Sequence, residues 1–204
     1  MTEEVHDGRV QRGARNRELI VDALFALVES GELQPTAEQV AQRAGVGTRT
    51  VFRHFADMES LFSELNARVE REMRPHLERR VPSGDLAVRV TALVEQRAAF
   101  FERVSPFILS GQIQRHRSRF LQESHARFCR VLRGELEREF APQLARTRGT
   151  ATPLLDTLDL VTSFEAWHRL RGDQGLGRAR ASRIVGRSVM AAFTAAGVAP
   201  ASDG

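Results

Sequence analysis

The chain has 204 residues, of which 42% are hydrophobic and 27% are charged, a composition that fits one medium-sized globular domain or a small domain joined to a larger one. No apolar run approaches the roughly 20 residues that a membrane-spanning helix needs, and the acidic first residues lack the pattern of a secretion signal, so we expect a cytoplasmic protein without a membrane partner. The single cysteine, Cys129, excludes an internal disulfide and a cysteine-rich metal site.

The positive charge is distributed unevenly along the chain. The formal net charge is only +4, and the isoelectric point of about 10.9 partly reflects the absence of lysine and tyrosine, which leaves few groups to titrate between histidine and arginine. Two stretches contain basic residues and no acidic residue, with Arg9, Arg12, Arg15 and Arg17 in residues 8–17 and Arg43, Arg49 and Arg53 in residues 40–56. These two stretches are the candidate surface for an anionic partner.

Apolar residues recur three and four positions apart almost throughout, which predicts an all-α protein with about nine helices and no strand. Glycine and proline mark the breaks, at Gly31, Gly45 and residues 82–84. The predicted helices cover residues 12–30, 36–44, 48–55, 57–81, 86–104, 106–116, 118–140, 153–171 and 179–196.

This helix order predicts a small domain joined to a larger one. Residues 1–56 are the N-terminal arm and a three-helix domain, residues 57–81 a connecting helix, residues 82–198 a C-terminal regulatory and dimerisation domain, and residues 199–204 a disordered tail. Disorder is expected only in this tail and in the first few residues.

Residues 36–55 have the features of a helix-turn-helix motif. Thr36 can cap the first helix of the pair while Gln39 reaches back to it, as in a capping box. Ala41 is small where two helices must cross, Gly45 permits the sharp turn, and Val46 fills the space between the helices. The spacing therefore predicts two short helices that cross at a tight turn.

The second helix of this pair has one apolar face and one basic face. Val51 and Phe55 lie four positions apart and turn inward, whereas Arg49 and Arg53, also four apart, project together on the other side beside Thr50. Paired guanidinium groups on a short helix suit guanine edges or phosphates in a DNA major groove. A purely structural corner is the alternative, but the length of the pattern favours DNA binding.

Residues 15–65 resemble the signature of the TetR (tetracycline-repressor-like) family, in which a Thr-capped helix leads through Ala-Gly-Val to Thr-Val-Tyr-x-His-Phe. The resemblance implies that the third helix reads DNA, that the first helix and the arm assist on the backbone, and that the fourth helix relays the state of a ligand. By position it implies DNA contacts from Arg15, Thr36, Arg43, Thr48, Arg49, Thr50, Phe52, Arg53 and His54.

Two residues depart from the pattern of that family. Phe52 stands where a tyrosine is usual and cannot donate a hydroxyl hydrogen bond to phosphate, and Met58 replaces a common lysine. We expect Arg9, Arg12, Arg15, Arg43, Arg49 and Arg53 to compensate, each neutralised phosphate adding to the salt dependence of binding.

The C-terminal half has a weaker signal, consistent with a pocket for an unidentified small molecule. The candidate pocket residues are Phe100, Phe101, Phe107, Phe120, His125, Phe128 and Trp167. Plain core packing is the alternative for each of them, and His125 is either a core histidine or a polar anchor. Glu165 and His168 could share a metal, but no second such pair completes a site, so we expect neither a metal nor a cofactor.

Small residues on the last helix, together with the predicted helix at residues 153–171, resemble the four-helix dimer interface of the same family. A two-fold dimer fits DNA reading, since paired half-sites lie about 34 Å apart or at multiples of that distance. The sequence shows no catalytic constellation. We therefore expect a ligand-responsive repressor that binds double-stranded, palindromic operator DNA as a homodimer. The alternative is a helical dimeric interaction protein that does not read DNA.

Overall fold

The computed structural model describes residues 3–77, 80–147 and 149–198, and every regular element among these residues is helical. The helices are α1 (Glu3–Glu29), α2 (Ala37–Ala44), α3 (Thr48–His54), α4 (Met58–Leu77), α5 (Leu86–Arg115), α6 (Arg119–Glu139), α7 (Ala141–Ala145), α8 (Ala151–Val161), α9 (Phe164–His168) and α10 (Arg178–Ala195). A π-helical turn, Arg169–Asp173, continues α9. The all-α class is confirmed, and the predicted disordered tail lies outside the described residues.

The chain forms two compact units, each built from two segments. The N-terminal unit contains the residues up to Met73 together with Val104–Ser124, and the C-terminal unit contains Arg74–Arg103 together with the residues from His125 onward. The sequence-based division used continuous segments, and its C-terminal domain at residues 82–198 included Val104–Ser124. In the structure that segment instead belongs to the same compact unit as α1, α2, α3 and most of α4.

The core of the N-terminal unit is apolar and is supplied by its first four helices. Its most buried members are Ile20, Leu24, Val28, Val40, Val51, Phe55, Leu61 and Leu65. Phe107 of α5 packs against this core, with its ring 4.6 Å from the ring of Phe25 in α1. At about 25 cal/mol per Å² of apolar surface, this burial is the main stabilising contribution to a unit in which α2 and α3 are too short to be stable alone.

Three helix boundaries differ substantially from prediction, and one further helix, α7, was not predicted at all. Helix α1 begins at Glu3 rather than near residue 12. The acidic residues at this start interact favourably with the positive end of the helix dipole. Helix α5 continues through Pro106, although a break was predicted there. Proline removes one backbone hydrogen bond, but buried Val104 and Ser110 on either side hold the helix in place.

The third difference is a break between α8 and α9, where one helix over residues 153–171 was predicted. In an unbroken helix the Thr162 carbonyl would accept from the amide of Ala166. Instead that carbonyl accepts from Arg97 Nη1 at 3.0 Å, and the Ala166 amide donates to Ser163 Oγ at 3.1 Å. A side chain from α5 therefore takes the acceptor that helix continuation requires.

Arg97 is the centre of a buried polar network in the C-terminal unit. Its guanidinium donates to Glu135 Oε2 from Nε (3.2 Å) and Nη2 (3.1 Å), to the Leu132 carbonyl, and to the carbonyl and hydroxyl of Thr162. Burial raises the pKa of the Glu135 carboxyl, and Arg97 opposes that rise. All the guanidinium hydrogens have acceptors, so the network joins α5, α6 and the α8–α9 junction without an unsatisfied donor.

We expect Gly45→Ala and Gly111→Ala to change stability in opposite directions. Gly45 has a φ of +67°, so a side chain there would cost about 1–2 kcal/mol of unfolding free energy. Gly111 lies inside α5 with ordinary helical geometry, where alanine should add about 0.5–1 kcal/mol. Neither added Cβ meets a described atom within 4 Å, so backbone conformation alone separates the two variants. Urea denaturation measures both, and shifts of the same sign would contradict the prediction.

We expect Arg97→Met to lower the free energy of unfolding by about 3–5 kcal/mol, because it leaves the Glu135 carboxylate buried without its partner. Removing both charges in Arg97→Met with Glu135→Leu should cost less than the single change. The control is Arg178→Met, which breaks a half-exposed pair with Glu95 and should change stability by at most about 1 kcal/mol. A double variant less stable than Arg97→Met, measured by urea denaturation, would contradict this interpretation.

Candidate nucleic-acid interface

Helix α2 begins and ends as its sequence predicts. The Thr36 hydroxyl accepts from the Gln39 amide at 3.2 Å, and the Thr36 amide donates to Gln39 Oε1 at 2.7 Å, which confirms the capping box. Gly45 ends the helix in the left-handed conformation, and the Val46 amide donates to the Ala41 carbonyl at 3.0 Å. Ala41 is buried where α1 and α2 pack. The turn between α2 and α3 is therefore set by local hydrogen bonds.

Helix α3 is only seven residues long, and the N-cap residue before it, Gly47, has no side chain with which to cap it. The Thr50 amide donates to the Gly47 carbonyl at 2.7 Å and closes the first turn. Val51 and Phe55 are both buried in the core of the N-terminal unit, which confirms the predicted inner face of the helix. The helix is held from this side by packing.

The outer side of this helix pair carries the predicted DNA contacts. Arg43 at the end of α2 and Arg49 and Arg53 on α3 are exposed and make no ion pair with any described residue; we call these three side chains the arginine face. Phe52 is 49% exposed between them. Thr48 and Thr50 are half-buried, whereas Thr36 and Arg15 are exposed. The face combines exposed cationic side chains with one exposed aromatic ring.

His54 differs from the other predicted contacts because its ring is half-buried. Its Cε1 lies 4.0 Å from the position that a Cβ on Gly13 of α1 would occupy, and its Nε2 is buried without a hydrogen-bond partner in the described part of the chain. Burial lowers the pKa of His54, with further lowering by Arg53 and Arg17. A neutral ring at this position can donate a hydrogen bond but adds no charge at neutral pH.

Arg17, which the sequence grouped with the exposed basic stretch, contacts the inner parts of the N-terminal unit. Nη1 donates to the His54 carbonyl at 3.1 Å, Nη2 donates to Glu64 Oε2 of α4 at 2.6 Å, and the guanidinium lies 4.4 Å from the centre of the Phe55 ring. Sequence reasoning missed these contacts because the partners lie 37 and 47 residues away along the chain. Arg12 is exposed, and the side chain of Arg9 lies outside the described residues.

The predicted pocket residues fall into two groups. Phe107 and Phe120 belong to the N-terminal unit, where Phe107 packs on the core and Phe120 is partly exposed. Phe100, Phe101, Phe128 and Trp167 lie in the C-terminal unit together with His125. There the Phe100 ring is 5.8 Å from Phe101 and 6.1 Å from Phe128.

A small cavity lies beside this aromatic group. It measures about 10 Å³ and is lined by Phe101, Trp167, Arg97, Thr162, Ser163 and apolar side chains. That volume is near the lower limit for one water molecule. A larger guest there would require side chains to move.

His125 adds a polar edge on α6. Its Nε2 is 3.5 Å from the sulfur of Cys129 and 3.9 Å from Glu165 Oε1. Within the described ranges, no group of three acidic, histidine or cysteine side chains has the arrangement of a metal site. Of the helices in those ranges, none is long and apolar enough to cross a membrane.

Comparison with known proteins gives a family match at the N-terminus and a fold match over most of the chain. Residues 20–65 match the model of the bacterial regulatory proteins of the tetR family. The fold is similar to that of a tetR-family transcriptional regulator from Streptomyces coelicolor, with a TM-score of 0.70 and 13% identity over 90% of this chain and 82% of that one. It is also similar to a transcriptional regulator from Rhodococcus sp. Rha1, with a TM-score of 0.69 and 19% identity over 90% and 99% of the two chains. Among curated proteins, none matches this chain.

We expect His54 to titrate below its ordinary pKa of 6.5 and Arg53→Ala to move that pKa upward. The unfolded chain then takes up the proton first as the pH falls, so this residue makes the protein less stable as the pH drops below about 6.5. Proton NMR of the ring follows the titration directly. Arg49→Ala is the control, since Arg49 is not among the groups that shift His54. A midpoint at or above 6.5 in the native protein would contradict the assignment.

Proposed function

We propose that this chain, whose residues 20–65 match the model of the bacterial regulatory proteins of the tetR family, is a dimeric repressor that binds a palindromic operator and responds to a small molecule. The family match at residues 20–65 and the similarity of fold support a DNA-binding transcriptional regulator. The operator, the repression and the response to a ligand are the parts that we propose.

The observation that supports operator binding is the arginine face. Val51 and Phe55 occupy the inner side of α3, so Arg49 and Arg53 on the outer side have no packing role and remain exposed. An α-helix fits the major groove of DNA, and an arginine there can pair bidentately with the O6 and N7 atoms of guanine. Two such side chains one turn apart can reach neighbouring base pairs.

The remaining predicted contacts suit the DNA backbone and the apolar edge of a base. Exposed Phe52 can pack against a thymine methyl group, an apolar contact that does not need the hydroxyl of a tyrosine. Thr36 and Thr48 lie at the starts of α2 and α3, where backbone amides favour a phosphate. Arg15 on α1 and Arg43 at the end of α2 would supply positive charge to the DNA backbone. His54 would supply at most a hydrogen bond from a neutral ring, because its pKa is lowered. Together these side chains would orient the helix while the arginines read the sequence.

Helices α8 and α10 are the proposed dimer interface. They pack together in the C-terminal unit, and each exposes a large apolar side chain, Leu160 at 69% and Ile184 at 37%. Covering such side chains is favourable, and a symmetric pair of these helices forms a four-helix contact with two-fold symmetry. A two-fold dimer doubles the number of base pairs read and accounts for a palindromic site.

The proposed effector binds in the C-terminal unit beside Phe101 and Trp167. The cavity there is small, so an effector must displace side chains that now fill the space. The chain passes between the two units within α4, α5 and α6, which are continuous helices through which such a displacement would change DNA affinity. For a repressor, we expect effector binding to lower the affinity for DNA and so to release it.

Selection of bound sequences from a random DNA library, at two salt concentrations, tests the proposal. We expect a palindrome to be enriched and its affinity to fall steeply with salt, because the arginines displace counterions from phosphates. Arg49→Ala and Arg53→Ala should each weaken operator binding by about tenfold or more, since one bidentate base contact contributes about 1–3 kcal/mol. The control is Arg130→Ala, which removes an exposed arginine from α6 in the C-terminal unit.

A failure to enrich any sequence would overturn operator binding. If the protein were then still a dimer, the alternative of an interaction protein that does not read DNA would be favoured. Equal losses from Arg130→Ala and from the two α3 variants would show that the arginines act through overall charge alone.

A further inference from the structure

Helix α3 has few means of fixing its own position. It has seven residues, no side-chain cap at Gly47 and an extended residue, Phe55, directly after its end. Isolated helices of this length are unstable in water, and the last four carbonyls of any helix have no partner within it. The C-terminal end of α3 therefore needs a group from elsewhere in the N-terminal unit.

Arg17 of α1 supplies that group. Its Nη1 donates to the carbonyl of His54, the last residue of α3, at 3.1 Å. A cation at this position also meets the negative end of the helix dipole. The contact joins the end of α3 to the middle of α1.

Two further contacts fix the orientation of the Arg17 guanidinium. Nη2 donates to Glu64 Oε2 of α4 at 2.6 Å, and the flat face of the group stacks on the Phe55 ring at 4.4 Å. A planar fork that meets an acceptor at each end and a ring on its face has little freedom to turn. Arg17 thus connects α1, the end of α3 and α4 at one point.

We propose that Arg17 is a positioning residue for operator recognition, which fixes the orientation of α3 on the N-terminal unit and does not itself bind phosphate. This inference rests on the proposed operator binding. It assigns Arg17 a role different from that of the basic stretch at residues 8–17 to which it belongs, which is the candidate surface for an anionic partner. Each Nη atom already donates one hydrogen bond within the unit, and a move of the half-exposed guanidinium toward a phosphate would break its ion pair with Glu64.

The two roles predict different responses to substitution. A phosphate contact contributes to affinity for every DNA sequence and adds about 0.9 to the slope of log affinity against log salt. A positioning residue instead affects how well Arg49 and Arg53 meet their bases. Its loss lowers the ratio of operator affinity to random-DNA affinity and leaves the slope unchanged.

The test compares Arg17→Ala, Arg17→Lys and Glu64→Gln with the control Arg15→Ala. Arg15 lies on the same helix, is exposed and remains a predicted phosphate contact. Binding to the selected operator and to a scrambled duplex is measured over a range of salt concentrations. Hydrogen exchange of the Phe55 amide, which donates to the Val51 carbonyl at 2.9 Å, reports the end of α3 without DNA.

We expect Arg17→Ala and Arg17→Lys to lower the affinity ratio by about tenfold to a hundredfold, the range for one misplaced base contact, with no change in slope. Lysine keeps the charge but cannot bridge two acceptors, so it should not rescue. Glu64→Gln should lower the ratio in the same direction and accelerate Phe55 amide exchange by about tenfold, equivalent to about 1.4 kcal/mol. Arg15→Ala should reduce the slope and leave the ratio intact.

Three results would overturn the role of Arg17. These are a slope reduced by Arg17→Ala as much as by Arg15→Ala, full rescue by lysine, or unchanged Phe55 exchange in Glu64→Gln. If Arg17→Ala does not fold, judged by circular dichroism, Glu64→Gln and Arg17→Lys carry the test. A wild-type protein that selects no sequence would instead overturn operator binding itself, whatever the exchange data show.

Discussion

A helix of seven residues has too few internal hydrogen bonds to persist alone in water, and this constraint governs the N-terminal unit. Val51 and Phe55 hold α3 by burial, and Arg17 holds its end. Helix α4 in turn is fastened to α1 by Arg68, which binds Asp22 and lies over the Phe25 ring. Because Val51, Phe55 and Arg17 support α3 from one side, the opposite side of the helix makes no stabilising contacts with the described residues and can carry exposed arginines.

The C-terminal unit is organised around a buried charge rather than a short helix. Arg97 takes the Thr162 carbonyl, and the helix that would have continued through residue 162 ends there. Ser163 then starts α9, which places Trp167 beside Phe101 at the cavity. The same guanidinium thus stabilises the unit, interrupts a helix and lines the space where we propose the effector to bind. A substitution at Arg97 made to study the ligand would therefore also change the backbone around it.

The parts of the fold that the sequence predicted are those set by neighbours along the chain. Thr36 and Gln39 are three residues apart, and Gly45 needs only its own conformation to end α2, so residues 36–55 were interpreted correctly. The break at Thr162 depends on Arg97, 65 residues away, and the role of Arg17 depends on partners at distances of 37 and 47 residues. Helix α5 passes through Pro106 because tertiary burial outweighs a local preference. The separation of Phe107 and Phe120 from the other pocket candidates is likewise a property of packing, which periodicity does not encode.

Trp167 is the only tryptophan of a chain that contains no tyrosine, so almost all of the near-ultraviolet fluorescence of the protein comes from one indole. That indole is buried, donates to Glu102 Oε1 at 3.0 Å and borders the cavity. Arg171 donates to the same carboxylate and lowers its pKa, so the excited ring faces a fixed negative charge with a cation behind it. The emission wavelength of an indole responds to nearby charge and to water. The colour of this emission is therefore a label-free optical signal of whether the space beside Phe101 is closed, wet or filled.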